Sequence, residues 1–193
     1  EIVPPPIGVD LNKVLVEPAD GAAVISDTIQ FRVTMTNTGQ TVFVSNPFTD
    51  TFEGCMTFLR AEQDGQEVDV QPTPNGELAW DLVVANGDVP IQPGQSVVID
   101  LYFHAEVEGP CLNQAYVIEY DIYDQWADAE DSATVEILPP GNTITGTAGV
   151  GGAIDPEGEV FVPYNGTQEF LIIPAPCYVI SDGKQVIKCF CSM

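Results

Sequence analysis

The sequence predicts an all-β protein, an antiparallel β-sandwich followed by a small β module, and three observations carry that reading. Apolar residues alternate with polar ones over long runs, turn dipeptides separate the runs, and helix-period segments are scarce. In residues 28–36, TIQFRVTMT, the side chains of Ile29, Phe31, Val33 and Met35 share one face. Leu78, Trp80, Leu82 and Val84 do so in residues 78–84, and Val97, Ile99, Leu101, Phe103, Ala105 and Val107 do so in 97–107. A period of two over such lengths describes strands with one buried face. Asp20-Gly21, Thr38-Gly39, Asp64-Gly65, Asn75-Gly76, Asn86-Gly87 and Pro93-Gly94 supply the turns between them. Many short strands punctuated in this way pack as two antiparallel sheets.

Composition narrows the function. The chain has 193 residues, 45% of them hydrophobic, enough to fill a core. Twenty-nine acidic residues face five basic ones, Lys13, Arg32, Arg60, Lys184 and Lys188, for a formal charge of −24. A field of that sign repels phosphate backbones and anionic lipid, which excludes nucleic-acid binding and disfavours membrane surfaces. No apolar run is long enough to span a bilayer, so no membrane insertion is expected. The chain begins at Glu1, which fits a mature secreted protein and fits a trimmed chain equally. Cys55, Cys111, Cys177, Cys189 and Cys191 form no zinc or haem pattern, so disulfides in an oxidising compartment are the better account.

Three boundaries divide the chain. Residues 1–8, EIVPPPIG, are held extended by their prolines. Residues 9–138 carry the sandwich. Leu-Pro-Pro-Gly-Asn ends it, and residues 139–142 read as a short stiff linker before a β module at 143–193.

At TNTGQTVFVSNPFTDTFEGCMTF the sandwich resembles the DUF11 repeat domain of prokaryotic surface proteins. Asn37-Thr38-Gly39 matches that family's turn, Thr49-Asp50-Thr51 its T-D-T step, and Met56-Thr57-Phe58 the strand after it. Trp80, Pro93-Gly94-Gln95-Ser96 and Asn113-Gln114-Ala115-Tyr116-Val117 match further segments in order. The resemblance implies an immunoglobulin-like sandwich used in extracellular architecture and implies no catalysis. Cys55 and Cys111 depart from the family. They stand just after the T-D-T step and just before the N-x-A-x-V strand, at strand ends where sandwich loops converge, so they are expected to pair.

The tail is similar to the InlB-type B-repeat modules of bacterial surface proteins. Gly151-Gly152, Asp155-Pro156-Glu157-Gly158, residues 170–174 (FLIIP) and Tyr178-Val179-Ile180 carry the likeness. Such modules continue for two more strands past the Asp182-Gly183 hairpin, so this one reads as short of the strands that complete it. A two-residue turn at 182–183 would set residue 181 opposite 184, which brings Cys177 close to Cys189 or Cys191 and predicts a disulfide with one of them.

Several residues invite chemistry. Asp121, Asp124, Asp128, Glu130 and Asp131 crowd hard oxygen ligands into one stretch, which suits calcium, although the spacing is not that of an EF-hand. Calcium is the one cofactor the sequence suggests. Asn165-Gly166-Thr167 is a glycosylation sequon. Lys13 on the first strand and Asn113 on a late one are the pair that some surface sandwiches join by a spontaneous isopeptide bond, with help from a buried acid; against this stand a snorkelling lysine and a turn asparagine. Tyr116, Tyr120, Tyr123 and Trp126 can form either a glycan platform or ordinary cross-strand pairs. His104, the single histidine, lies on the outward phase of its strand with no nucleophile to serve.

Two functions stay open at this stage. One is a non-enzymatic secreted subunit of a filament or surface layer, whose partners are copies of itself. In it the extended N-terminal segment, apolar at Ile2, Val3 and Ile7, adds a strand to a neighbour's open sheet. The other is a calcium- or glycan-binding adhesin module.

Overall fold

The computed structural model describes residues 3–164, 166–176, 178–181 and 185–188. The chain divides into two compact units, Glu1–Leu138 and Pro139–Met193.

The first unit is a sandwich of two sheets. Its strands are β1 (Val9–Glu17), β2 (Ala22–Val24), β3 (Thr28–Asn37), β4 (Phe43–Ser45), β5 (Pro47–Phe52), β6 (Met56–Gln63), β7 (Gln66–Val68), β8 (Glu77–Asp81), β9 (Ser96–Ala105), β10 (Gly109–Asp121) and β11 (Trp126–Leu138). One sheet has the order β1-β3-β9-β6-β7; the other runs β2-β11-β10-β5-β8, with β4 also on β10. All pairings are antiparallel except β2 with β11. The alternation read from the sequence is the alternation of burial: Ile29, Phe31, Val33 and Met35 of β3 and Val97, Ile99, Leu101, Phe103 and Ala105 of β9 all face the core. Phe103 sits at its centre, with ring centroids 4.9 Å from Phe52, 5.9 Å from Phe58 and 6.0 Å from Phe31. Tilted and edge-on contacts of this kind add to the burial of the rings themselves.

One expected strand is shorter than its pattern. Leu78 and Trp80 lie on β8, but Leu82 to Ala85 form a single helical turn, α1 (Leu82–Ala85). The cause is Asp81. Its Oδ1 accepts the N–H groups of Val83 at 2.9 Å and Val84 at 3.1 Å, which caps a helix where alternation alone would continue a strand. Its Oδ2 accepts from Ser45 Oγ at 2.7 Å and Asn46 N at 3.0 Å, tying β4 to the same corner. Asp81→Ala is expected to cost roughly 2 kcal/mol, since it leaves a cap and two further donors unmet. Urea unfolding checks this, and a change within about 0.5 kcal/mol, the usual range for a surface substitution, would contradict it.

The N-terminal segment belongs to this unit. Gly8 O accepts from Thr38 N at 2.9 Å and Gly39 N at 3.0 Å, and Pro6 O accepts from Gln40 N at 2.8 Å. Gln125 Nε2 donates to Pro5 O at 2.9 Å. The approach to the Asn37-Thr38-Gly39 turn is close enough that a Cβ on Gly39 would lie 2.7 Å from Gly8 N, which accounts for glycine there. Ile7 packs against the core. This corrects the expectation for Ile7: its side chain and the carbonyls beside it are used within the chain, which leaves them unfit to complete a neighbour. Val3 is exposed, and Ile2 lies outside the described residues.

The second unit contains β12 (Gly141–Gly146), β13 (Gly152–Asp155), β14 (Gly158–Pro163), β15 (Leu171–Pro174), β16 (Tyr178–Ser181) and β17 (Gln185–Lys188). They pair antiparallel as three separate two-stranded ladders, β12-β14, β13-β15 and β16-β17. The linker is shorter than expected, because Gly141 and Asn142 already pair with Pro163 and Val162. Ser181 pairs with Gln185, where a two-residue turn would set it opposite Lys184. Cys177, Cys189, Cys191 and Asn165 lie outside the described residues, as do the pairing and glycosylation expected of them.

Candidate functional site

The residue types that carry chemistry converge inside the sandwich. Lys13 lies on the inward phase of β1, between Leu11 and Leu15 and opposite Val33. Its side chain is fully buried, with Nζ 5.5 Å from the centroid of the Phe31 ring. From the first sheet it reaches across to the second, where Nζ pairs with Oδ2 of Asp50. Asp50 is inward on β5 between the buried Phe48 and the partly buried Phe52. On the neighbouring β10, Ala115 pairs with Asp50 and Asn113 with Phe52, which places Asn113 diagonally beside the carboxylate. Asn113 Nδ2 donates to Asp50 Oδ1 at 2.5 Å and to the carbonyl of Thr51 at 3.2 Å. Asn113 Oδ1 is buried with no hydrogen-bond partner. One carboxyl thus bridges an amine and a carboxamide in a site closed to water.

Burial dominates the electrostatics of this group. Loss of solvent lowers the pKa of Lys13, against the attraction of Asp50 and Asp131. The same loss raises the pKa of Asp50, against Lys13 and the hydrogen bond from Asn113. Both shifts favour the neutral amine facing the neutral acid over the charged pair. Lys13 is therefore neither snorkelling nor exposed, and Asn113 is not in a turn.

The carboxylates expected to hold calcium do not converge. Strand alternation sends Asp128 and Glu130 of β11 outward and Asp131 inward. Asp131 Oδ2 is used by the backbone N–H of Lys13 at 2.6 Å. Asp121 is buried and accepts from Tyr123 N at 2.8 Å, Gln125 N at 2.9 Å and Gln125 Nε2 at 2.8 Å, closing the β10–β11 turn. These donors hold its pKa below the usual carboxylate range, although burial works against them. Asp124 is exposed at a left-handed position in that turn. Among the described residues the one cluster of metal-ligating types is Glu53, Cys55 and Cys111, and its two sulfurs are bonded to each other.

Cys55 and Cys111 form a disulfide with a Cα separation of 6.1 Å. It links the entry of β6 in one sheet to β10 in the other, two residues from Asn113 on the same face.

A second buried carboxyl escaped the sequence reading. Glu119 is inward on β10, in phase with Asn113, Ala115 and Val117, and fully buried. Burial, with a smaller push from Asp81, raises its pKa to about 8, while a hydrogen bond from Asn46 works the other way. Asn46 Nδ2 donates to Oε1 at 2.5 Å; Glu119 Oε2 and Asn46 Oδ1 are both buried without a partner.

The outer faces are ordinary by comparison. Arg32 makes a bidentate pair with Asp100 at 2.9 and 3.0 Å, and the Arg60 guanidinium stacks 3.6 Å over the Tyr102 ring. His104 is partly exposed beside Glu106. Tyr120 pairs across the hairpin with Trp126, and both are exposed together with Tyr123, while Tyr116 is half-buried.

The sequence matches no family model. It matches no curated protein. Similarity appears at the level of structure. A cohesin module from a Clostridium perfringens ATCC13124 family 33 glycoside hydrolase aligns at a TM-score of 0.50 and 10% identity, over 67% of this chain and 98% of the module. The major pilin subunit of Bacillus cereus, BcpA in a D312A form, aligns at a TM-score of 0.50 and 13% identity, over 94% of this chain and 63% of the pilin. The chain therefore spans less than two thirds of the pilin's length. At these identities the likeness is one of fold, and the fold it shows is an immunoglobulin-like β-sandwich.

Proposed function

We propose that the protein is a non-enzymatic structural module of an extracellular surface assembly, a subunit that associates with copies of itself. The observation that carries this reading is the second unit. Among those of its residues whose burial is described, only Val162 is a buried hydrophobic, while Ile144, Val150, Tyr164, Leu171, Ile172 and Ile173 are exposed. Among the described residues β15 hydrogen-bonds to β13 alone, and three consecutive large apolar side chains stand on it. A strand with a free edge and an apolar surface pairs with further chain when it meets one. The DUF11 and B-repeat resemblances, the acidic charge and the disulfide agree with an extracellular surface setting. So does the likeness to a pilin subunit, taken as an analogy of fold. Where the edge of one copy meets a different surface of the next, the contact is heterologous and builds rings or open filaments.

Electron microscopy and sedimentation of the purified chain test the proposal. Polymers are expected, and Leu171→Asp with Ile173→Asp, two substitutions on one face of β15, is expected to reduce them to single subunits. A wild-type chain that stays monomeric at high concentration, or a variant that polymerises as well as wild type, would overturn it. The exposed Tyr120–Trp126 pair beside Tyr123 favours a second reading, a glycan-binding module, because exposed aromatic rings suit sugar faces. Binding on a glycan array that is lost in Trp126→Ala would support that reading instead.

A further inference from the structure

We propose that Lys13 and Asn113 become joined by an intramolecular amide bond, formed by the chain itself with Asp50 as the acid–base group. The bond would staple the first strand of one sheet to the centre of the other. Asp50 is placed for this role by geometry, with Oδ2 on the Lys13 amine and Oδ1 on the Asn113 amide nitrogen. Lys13, Asp50 and Asn113 are all buried, so water neither competes for the amide carbon nor quenches the amine. Reacting groups held on one carboxyl by two packed sheets have already met much of the orientational cost that limits amide exchange in solution.

The step balances without any co-reactant. The lone pair of the neutral Lys13 Nζ attacks Cγ of Asn113, and a C–N bond forms. Asp50 takes one proton from Nζ at Oδ2 and delivers one from Oδ1 to Nδ2 of Asn113. The Cγ–Nδ2 bond breaks, and Nδ2 leaves as ammonia. An amine and a carboxamide become a secondary amide and ammonia; nothing is oxidised or reduced, and the Asp50 carboxyl ends as it began. The neutral forms needed at the outset are those that burial favours here. The product also removes a titratable amine from a site closed to water. Asn46 offers a contrast within the same unit. It too meets a buried carboxyl, Glu119, but no lysine, so no such bond can form there.

Trypsin reads the result directly. In the denatured, reduced full chain it cuts after Lys13, Arg32, Arg60, Lys184 and Lys188. A bonded Lys13 is not cut. Residues 1–32 should then be recovered joined to residues 61–184, as one species lighter than the sum of its parts by one ammonia. Fragmentation should place the junction at Lys13 and Asn113. A free peptide of residues 1–13 together with an unmodified 61–184 would overturn the proposal, and this needs no variant. Asp50→Ala and the isosteric Asp50→Asn should fall from near-complete linkage to none. Linkage retained in either would overturn the role given to Asp50.

Discussion

Glu119→Gln is expected to stabilise the first unit, by an amount that grows with pH. Glu119 has its pKa raised to about 8 from an ordinary 4.5 because its side chain is fully desolvated on β10. The sign follows from proton binding. Between those two values the folded chain holds a proton at Glu119 that the unfolded chain has released, so stability falls as pH rises. The slope from this one group is about 1.4 kcal/mol per pH unit, and it flattens above the folded-state pKa. Below the unfolded value the contribution is fully present. Glutamine does not titrate and keeps the shape, and its amide can supply the donor that Asn46 Oδ1 lacks. Urea unfolding of both proteins at several pH values from about 5 to 9 measures the difference. It should widen across that range; a difference that is constant with pH would show that Glu119 is ionised in the folded chain.

Removing the Cys55–Cys111 disulfide is expected to have the opposite effect, a large loss of stability. The bridge closes a sequence separation of 56 residues. In the chain-entropy account, a loop of that size destabilises the unfolded state by about 4 kcal/mol. The paired Cys55→Ala, Cys111→Ala variant should therefore unfold at a much lower denaturant concentration than the oxidised wild type, with a steeper dependence on denaturant as the unfolded chain expands. Reduced wild type should behave like the variant. Equal midpoints with and without reductant would sink the prediction.

Much of this fold could be read from alternation, and the failures have local causes. β3 and β9 were legible because ten residues each hold period two without interruption. α1 was not, because the pattern Leu78, Trp80, Leu82, Val84 runs on unbroken and only the capping by Asp81 ends the strand. The supposed calcium ligands failed by the same rule that succeeded elsewhere: residues 128 and 130 share one face of a strand and 131 takes the other, so nearness in sequence is separation in space. Lys13 and Asn113 stood out by residue type, but the acid between them did not. Its signal was present in Phe48, Asp50 and Phe52, a carboxylate on the inward phase between two phenylalanines. Nothing in the sequence said that β5 lies beside β10, and that adjacency brings Asp50 to Asn113. The second unit was the least legible, since its four- and six-residue strands are too short for period two to declare itself.

The placement of Lys13 bears on how the first unit would carry a pulling force. Tension entering the sandwich from its N-terminal side arrives on β1, and tension from the second unit arrives through Leu138 at the end of β11. With Lys13 bonded to Asn113, the load passes from β1 straight into β10 and through the β10–β11 hairpin. Everything between residues 14 and 112, including eight of the eleven strands in full and the disulfide, lies off that path. Within the first unit only residues 1–12 and 114–138 would stay on the load path, and most of the core would remain folded under a load that unravels an unlinked sandwich. A sandwich wired in this way would give up less than a third of its length to a pull.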